Sequence, residues 1–230
     1  MEKRKKVEKI KKKLIILDAD GTIWDSEKDV FLAFNHTLQK NENKEITKEE
    51  FQKLAGLDLE EMFKRILPKD KETLANEYVK KYREYYIDEG HYADETTLFE
   101  NVKETLEKLK EQGFCMVIAS GKPKRILDKM VKCFQLNEFE FVLGTGESRF
   151  KPKPDPEILN YIMNELNISK EEAVMVGDTK ADVMAGKNAG IDTIAVTYGY
   201  EKIDILKNVN PTYMIEEFKT LEEIVEYKKD

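Results

Sequence analysis

Short apolar runs alternate with longer stretches of helical periodicity along most of the chain. The runs are rich in β-branched residues, whereas the stretches between them repeat apolar side chains every three or four positions. Strands that alternate with helices pair in parallel and leave the helices to cover the sheet. The sequence therefore predicts an α/β fold. The predicted strands are 14–17, 114–119, 139–143, 173–176, 193–196 and, more weakly, 213–215.

One stretch, 26–95, interrupts this alternation because it has helical periodicity and almost no strand-like run. Val30, Phe34 and Leu38 share one helical stripe. Tyrosines also recur at helical spacing, and we expect them to pack within the stretch. They are Tyr78, Tyr82, Tyr85 and Tyr86. We predict a Rossmann-like parallel-sheet core, residues 1–25 and 96–230, with an all-helical cap domain inserted at 26–95.

The composition is that of a globular protein with a highly charged surface, since 40% of the 230 residues are apolar and 37% are charged. The net charge of -7 argues against a nucleic-acid polymer as partner, because no net positive field displaces counterions from a phosphate backbone. Only two cysteines occur, Cys115 and Cys133. Neither a disulfide framework nor a cysteine-type zinc site is indicated.

The first thirteen residues are rich in lysine and are followed by only four apolar residues. This apolar run is far too short for a signal-peptide core or a membrane span. We expect the lysine-rich start to be a solvated extension, with helix as its conformation where it is ordered. We also expect a soluble, cytoplasmic protein with no membrane partner.

Two carboxylates stand two positions apart directly after the first predicted strand, Asp18 and Asp20 in the sequence DADGT. Residues i and i+2 of an extended segment point the same way, so both can face the crevice at the carboxyl end of the strand. A divalent cation explains such a pair, and so does a division of labour in which one carboxylate attacks and the other carries a proton. The alternative is that either Asp only caps a turn.

Polar groups also follow later predicted strands. Ser120 and Gly121 offer a hydroxyl beside backbone amides, which is a phosphate-sized site or only a turn. The segment KPKPDP, 151–156, presents lysine side chains from a rigid backbone, where an ordinary surface loop is the alternative. Asp178 and Asp182 follow the strand 173–176 and can share a helix face directed at the same crevice.

Taken together, these motifs resemble the haloacid dehalogenase (HAD) superfamily, in its phosphoglycolate phosphatase-like or β-phosphoglucomutase-like branch with a helical cap between motifs one and two. The resemblance runs over nearly the whole chain from Leu14 onward. It is carried, in order, by LIILDADGTIWDS, VIASGKP, KPKPDP and VMVGDTKADVMAGKNAG.

The resemblance implies a Mg²⁺-dependent phosphatase that hydrolyses a small phosphate monoester through an aspartyl-phosphate. It implies Asp18 as nucleophile and metal ligand, and Asp20 as general acid and then base, also contributing to the metal site. The other residues implied are Ser120, Gly121 and Lys151 for phosphate, Asp178 for metal, and Asp182 and Thr22 in support. In the same way, Asp182 holds Lys151 or a metal-bound water, and closure of the cap excludes bulk water.

The natural substrate stays open among phosphoglycolate, sugar phosphates, nucleotides and pyrophosphate, as does the choice between monomer and homodimer. Candidates in the insertion for contacting a small phosphorylated metabolite are Gly56, His36, Lys53 and Arg65. Alternative functions are a phosphomutase, a phosphonate hydrolase that uses Lys53 or Lys64, and a non-catalytic regulatory relative. Asp20 argues against a dehalogenase, because the resembling dehalogenases lack an acid there.

Overall fold

The computed structural model describes residues 9–54, 57–146 and 149–229. The chain forms two compact units, Met1–Trp24 together with Leu98–Asp230, and Asp25–Thr97. We refer to them as the sheet unit and the helical unit.

The described residues form ten strands and ten α-helices. The strands are β1 (Ile10–Lys12), β2 (Leu14–Leu17), β3 (Trp24–Asp25), β4 (Thr97–Leu98), β5 (Cys115–Ser120), β6 (Phe141–Gly144), β7 (Ala173–Gly177), β8 (Asp192–Val196), β9 (Tyr213–Ile215) and β10 (Val225–Tyr227). The helices are α1 (Glu27–Glu42), α2 (Lys48–Gln52), α3 (Leu59–Ile66), α4 (Ala75–Arg83), α5 (Val102–Glu111), α6 (Lys124–Cys133), α7 (Glu157–Leu166), α8 (Lys180–Ala189), α9 (Ile203–Asn208) and α10 (Leu221–Ile224).

The sheet unit is built on a six-stranded sheet in the order β6-β5-β2-β7-β8-β9. Every neighbouring pair in it is parallel. The six strands coincide, within two residues at either end, with the six that the hydrophobic pattern predicts. The predicted α/β class with a parallel-sheet core is therefore confirmed.

The register of the central strands brings their carboxyl ends level. Leu17, the last residue of β2, lies opposite Ile118 of β5 on one side and Val176 of β7 on the other. The Asp18 amide continues the ladder by donating to the Val176 carbonyl at 2.8 Å. Side chains that directly follow these three strands therefore meet at one edge of the sheet.

The central strands are almost entirely apolar because helices cover both faces of a parallel sheet. All four residues of β2 are fully buried. Inner side chains of β2, β5 and β7 pack with those of α7 and α8 in one hydrophobic cluster. This packing fixes the strand ends that carry the polar groups.

The lysine-rich start is more ordered than its composition suggests, because β1 pairs in parallel with β10 in a separate two-stranded sheet. Lys12 is buried, and its ammonium contacts Asp192 at 2.6 Å and the Glu171 carbonyl at 2.7 Å. A buried lysine is tolerated when it is paired in this way. The expectation of a solvated extension was thus wrong for Ile10–Lys12.

The helical unit contains α1 to α4, a 3-10 helix at Lys69–Leu74 and a π-helix at Glu84–Asp88. Its core is aromatic: the Phe34 and Phe63 rings stack at 4.3 Å between centroids. Three of the four tyrosines in the predicted stripe, Tyr78, Tyr82 and Tyr86, are buried, so they pack within the unit as expected. No helix in the described part of the chain combines the length and apolar character needed to cross a membrane.

A glutamate directly before β7 makes the stability of the fold depend on pH. Glu172 closes a capping box with Ser169, and its carboxylate also contacts Lys228 at 3.0 Å and Lys13 at 3.3 Å. The hydrogen bond from Lys228, followed by those from Ser169, lowers the pKa of Glu172 from 4.5 to about 2. Its contribution to stability is therefore present above about pH 4.5 and is lost as the pH falls towards 2.

We predict that Glu172→Gln lowers the free energy of unfolding at neutral pH and weakens its fall on acidification, because the variant has no carboxylate to protonate here. Urea denaturation at about pH 6 and about pH 3 measures both effects. Glu226→Gln, at an exposed position of β10, serves as the control and should retain the wild-type pH dependence. Equal acid sensitivity of Glu172→Gln and the wild type would contradict the assignment.

Candidate active site

The polar crevice of the sheet unit lies where β2, β5 and β7 end. Asp18 follows β2, Ser120 ends β5, and Asp178 follows β7. All three side chains belong to buried residues, with relative exposures of 7%, 1% and 0%. The structure thus brings together these three residues, which the sequence assigned to one crevice.

A lysine holds two of the carboxylates in this crevice. The Lys153 ammonium lies 2.6 Å from Asp18 Oδ1 and 2.5 Å from Asp182 Oδ1, and it also donates to the Ala119 carbonyl at 2.9 Å. Its side chain is only 8% exposed. Lys153 therefore links the ends of β2 and β5 to the first turn of α8.

The prediction that Lys151 supplies this cation was wrong. The Lys151 side chain is 71% exposed, and its ammonium lies 3.5 Å from Asp155 at the surface. The two lysines of KPKPDP are separated by one proline, and the repeated Lys-Pro spacing did not distinguish them. Only the folded backbone decides which of them turns inward.

Asp182 both caps α8 and forms an ion pair with Lys153. Its Oδ2 accepts hydrogen bonds from the Thr179 amide at 2.9 Å and the Thr179 hydroxyl at 2.6 Å, which closes a capping box at the start of α8. The other oxygen, Oδ1, holds Lys153. Gly177 makes room for this arrangement, because a Cβ there would lie 2.6 Å from Asp182 Oδ2.

Asp178 is fixed by backbone and hydroxyl donors. The Tyr200 amide donates to its Oδ2 at 2.8 Å, and the Thr22 hydroxyl donates to its Oδ1 at 3.2 Å. Gly21, at φ 76°, and Gly199 let two loops approach this carboxylate more closely than any side chain allows. The predicted supporting residue Thr22 therefore contacts Asp178 directly.

The loop after β8 was not predicted to take part. It supplies the Tyr200 amide, and the Tyr198 hydroxyl donates to the Thr22 carbonyl at 2.8 Å. Burial raises the pKa of Tyr198, so this hydroxyl remains a donor. Backbone donors carry no motif of charged residues, which is why the sequence did not reveal this loop.

Burial dominates the electrostatics of the crevice. It raises the pKa of Asp18 to about 7, with Lys153 opposing and Asp182 adding to the rise. Burial also raises the pKa of Asp178 well above its usual range, and Asp182 and Asp18 raise it further. For Lys153, burial alone would lower the pKa, but the adjacent Asp18 and Asp182 carboxylates outweigh it and raise the pKa. Positive charge placed beside Asp18 and Asp178 would favour their ionised forms.

The same carboxylates offer a place for that charge. Oxygens of Asp18, Asp178 and Asp182 lie within 4.8 Å of one another. Asp182 holds the Lys153 ammonium with one oxygen and caps α8 with the other, whereas the two donors described for Asp178 are both neutral and Lys153 contacts Asp18 through Oδ1. Asp18 and Asp178 are therefore the better metal ligands of the three. A hard divalent cation prefers such oxygens, so the donor set fits Mg²⁺.

Asp20 is oriented by two donors on one oxygen. The Trp24 indole nitrogen lies 2.9 Å from Asp20 Oδ1, and the Lys122 ammonium lies 2.9 Å from the same oxygen. Neither partner was predicted, although Trp24 is the chain's single tryptophan and Lys122 lies in the motif SGKP. The side chain of Asp20 is 23% exposed and thus reaches solvent, unlike Asp178.

Backbone amides from the loops after β5 and β6 donate hydrogen bonds to Ser120. The Lys122 amide donates to Ser120 Oγ at 3.2 Å, and the Thr145 amide donates to the Ser120 carbonyl at 2.9 Å. Gly121 is exposed, and a Cβ at its position would meet no atom within 4 Å. An open glycine beside a buried hydroxyl leaves space for an anion to approach this loop.

The residues that the sequence offered as candidates for contacting the substrate belong to the helical unit. The His36 ring packs on Tyr85 at 3.7 Å between centroids, and burial lowers its pKa. Lys53 is exposed, as is Arg65, which donates to Glu61 at 3.0 Å. Lys64 pairs with Glu60 at 2.5 Å, and Gly56 lies outside the described residues.

Comparison with known proteins agrees with this geometry. The family model for haloacid dehalogenase-like hydrolases matches residues 15–196, which include every crevice residue named above except Tyr198 and the loop after it. The chain belongs to the haloacid dehalogenase-like hydrolase family. The resemblance that the motifs predicted is therefore confirmed.

Relatives of this HAD-family chain carry phosphatase names. A phosphoglycolate phosphatase of Aliivibrio fischeri is 31% identical over 217 residues, covering 91% of this chain and 94% of the relative. Pyrophosphatase PpaX of Halalkalibacterium halodurans is 32% identical over 214 residues, covering 93% and 97%. A haloacid dehalogenase-like hydrolase structure from Streptococcus pneumoniae superimposes with a TM-score of 0.79 at 25% identity, covering 90% and 95%. The predicted enzyme class, a HAD-type phosphatase, is confirmed.

We predict that Lys153→Met lowers the free energy of unfolding by about 3 kcal/mol, because it leaves two buried carboxylates without their cation. Lys151→Met is the matched control at the exposed lysine, and its change should stay within about 0.5 kcal/mol. Urea denaturation at neutral pH compares the two variants. A larger loss for Lys151→Met than for Lys153→Met would contradict the assignment.

We also predict that Gly199→Ala destabilises the sheet unit by about 1–3 kcal/mol, as expected of overpacking. A Cβ at this position would lie 2.5 Å from both Asp178 Oδ2 and the Gly21 carbonyl oxygen. Gly121→Ala is the control, because its Cβ enters open space and alanine restricts the unfolded chain. Thermal unfolding should show a lower Tm for Gly199→Ala alone; equal Tm values would rule out the close approach.

Proposed function

We propose that this chain is a magnesium-dependent, cytoplasmic phosphatase that hydrolyses a small phosphate monoester through a phosphorylated Asp18. The observation that carries the proposal is the position of Asp18. Its carboxylate stands at the end of β2, against the Lys153 ammonium and beside Asp178, with Asp20 two residues further on.

Phosphate binding follows from the groups around Asp18. The Ser120 hydroxyl, the open backbone at Gly121 and the Lys153 ammonium are the donors we assign to the phosphate oxygens. Phosphoryl transfer asks mainly for in-line positioning and for neutralisation of charge on the transferring oxygens. Asp18 and Asp178, with the Asp20 backbone carbonyl, would hold Mg²⁺. When bound, the ion offsets the repulsion between the Asp18 carboxylate and the phosphate.

In the first step, an Asp18 oxygen forms a bond to phosphorus while the bond from phosphorus to the ester oxygen breaks. Asp20 gives its proton to the departing oxygen, which leaves as an alcohol. In the second step, Asp20 takes a proton from water, and the resulting oxygen attacks the phosphorus of the aspartyl-phosphate. The bond between phosphorus and the Asp18 oxygen breaks, and inorganic phosphate is released. Asp18 is then again a carboxylate, and Asp20 again carries its proton.

The names of the relatives narrow the substrates worth testing first. Phosphoglycolate and pyrophosphate are the compounds in the names of those relatives. Sugar phosphates and nucleotides represent the wider class of small phosphorylated metabolites. A phosphomutase remains the second candidate, because the same groups form the same aspartyl-phosphate and differ only in what accepts the phosphoryl group.

We predict Mg²⁺-dependent phosphate release from at least one of these compounds, and its loss in Asp18→Asn, which removes the attacking oxygen's charge. Release is measured with and without a chelator. Asp128→Asn, at an exposed carboxylate of α6 paired with Lys124, is the control and should keep wild-type turnover.

Either of two results would contradict the proposal. One is turnover by Asp18→Asn at the wild-type rate, which excludes Asp18 as nucleophile. The other is transfer of the phosphoryl group to a second sugar phosphate without phosphate release, which identifies a mutase.

A further inference from the structure

The single tryptophan of the chain lies against the proposed proton donor. Trp24 is fully buried, and its indole nitrogen lies 2.9 Å from Asp20 Oδ1. An indole N–H can only donate a hydrogen bond, and a buried one needs an acceptor. The Asp20 carboxyl group is that acceptor, so the two side chains are fixed relative to each other.

The backbone of Trp24 holds the same loop on both sides of Asp20. The Trp24 amide donates to the Ala19 carbonyl at 3.2 Å, and the Trp24 carbonyl accepts from the Gly21 amide at 2.9 Å. Ala19 and Gly21 are the neighbours of Asp20 in the chain. The side-chain and backbone bonds of Trp24 therefore close one small loop around the proton donor.

Packing leaves the indole ring little freedom to turn. The ring stacks on Phe134, directly after α6, with 5.9 Å between centroids and 27° between planes. Side chains in a close-packed interior occupy defined rotamers, so the indole N–H points in one direction. The Lys122 ammonium also contacts Asp20, but it stands on a flexible four-carbon stem and is a point charge. Of these two donors, the indole is therefore the one that gives direction.

Orientation matters to Asp20 because this residue transfers protons. In the proposed mechanism, Asp20 gives its proton to the departing oxygen as the bond from phosphorus to that oxygen breaks. The carboxyl group must lie within hydrogen-bond reach of the departing oxygen for this transfer. Because the indole only donates, it favours the form of the acid in which Oδ1 accepts and the other oxygen carries the proton.

We propose that Trp24 is a positioning residue for proton transfer by Asp20. The inference rests on the proposed hydrolysis through Asp18 and Asp20. Loss of the indole N–H should then slow the hydrolysis of an ester more strongly when its departing oxygen needs a proton. A residue with a structural role alone would slow the hydrolysis of all esters alike.

The test compares two esters of similar size, benzyl phosphate and p-nitrophenyl phosphate. The benzyl alkoxide is a strong base that needs the proton from Asp20, whereas p-nitrophenolate is a weak base that leaves without it. The constant kcat/KM is compared because it reports the steps up to release of the alcohol or phenol. Trp24→Phe should lower kcat/KM for benzyl phosphate by about 10- to 100-fold, which is part of the roughly 10²–10⁴-fold that general acid catalysis contributes. The loss for p-nitrophenyl phosphate should stay below about 3-fold, because little of its rate depends on a proton.

An isosteric side chain separates the role of the N–H from the packing of the ring. Because the chain has one tryptophan, expression in a tryptophan auxotroph supplied with benzothienylalanine replaces Trp24 alone. This analogue has sulfur in place of the N–H and keeps the shape of the indole. It should show the same selective loss, so the inference stays testable even where Trp24→Phe folds poorly. Fluorotryptophan, incorporated in the same way, retains the N–H and should keep the wild-type ratio of the two kcat/KM values.

The hydrogen bond itself can be observed in solution. One indole signal is expected in a proton–nitrogen correlation spectrum, because the chain has one tryptophan. Asp20→Ala should move this signal to higher field, since the N–H loses its carboxylate acceptor. Asp128→Ala, at an exposed carboxylate of α6, is the matched control and should leave the signal in place.

Losses that are equal for the two esters, or larger for p-nitrophenyl phosphate, would overturn the inference, because Trp24 would then act only on the fold. An indole signal that Asp20→Ala does not move would overturn it as well. Failure of the underlying proposal looks different: no phosphate is released from any ester, or Asp18→Asn retains turnover.

Discussion

The rest of the site depends on the ion pairs that the Lys153 ammonium makes with two carboxylates. The ammonium links Asp18 at the end of β2 to Asp182 in the first turn of α8, and it donates to the backbone of β5 as well. Burial alone would favour the neutral forms of Lys153 and Asp18. Their mutual proximity outweighs that cost for Lys153, so the cation remains charged where an incoming phosphate needs it.

The contacts around Lys153 depend on a helix cap and on glycines in the neighbouring backbone. Asp182 can hold Lys153 only because its other oxygen already caps α8, which fixes the side chain in place. Gly177, Gly199 and Gly21 leave room for loops to approach the carboxylates directly. The same residues therefore begin helices, close turns and set the charge of the crevice.

Most of the fold could be predicted from the sequence, since six apolar runs in the pattern correspond to six parallel strands. The acids were also identifiable, because they lie within a few residues of the end of an apolar run and parallel strand ends meet at one edge. What escaped prediction depends on tertiary contacts: the choice of Lys153 over Lys151, the salt bridge from Lys122 to Asp20, and the pairing of β1 with β10. Neither periodicity nor spacing encodes which lysine turns inward.

Hydrolysis through Asp18 requires one covalent intermediate, and the most direct test is to find it. The enzyme is mixed with substrate and Mg²⁺, quenched in acid during turnover, and digested, and the phosphorylated peptide is mapped by mass spectrometry. A phosphoryl group on Asp18 is the predicted result. A phosphoryl group on any other residue, or steady turnover with no phosphorylated enzyme under conditions that preserve acyl phosphates, would contradict it.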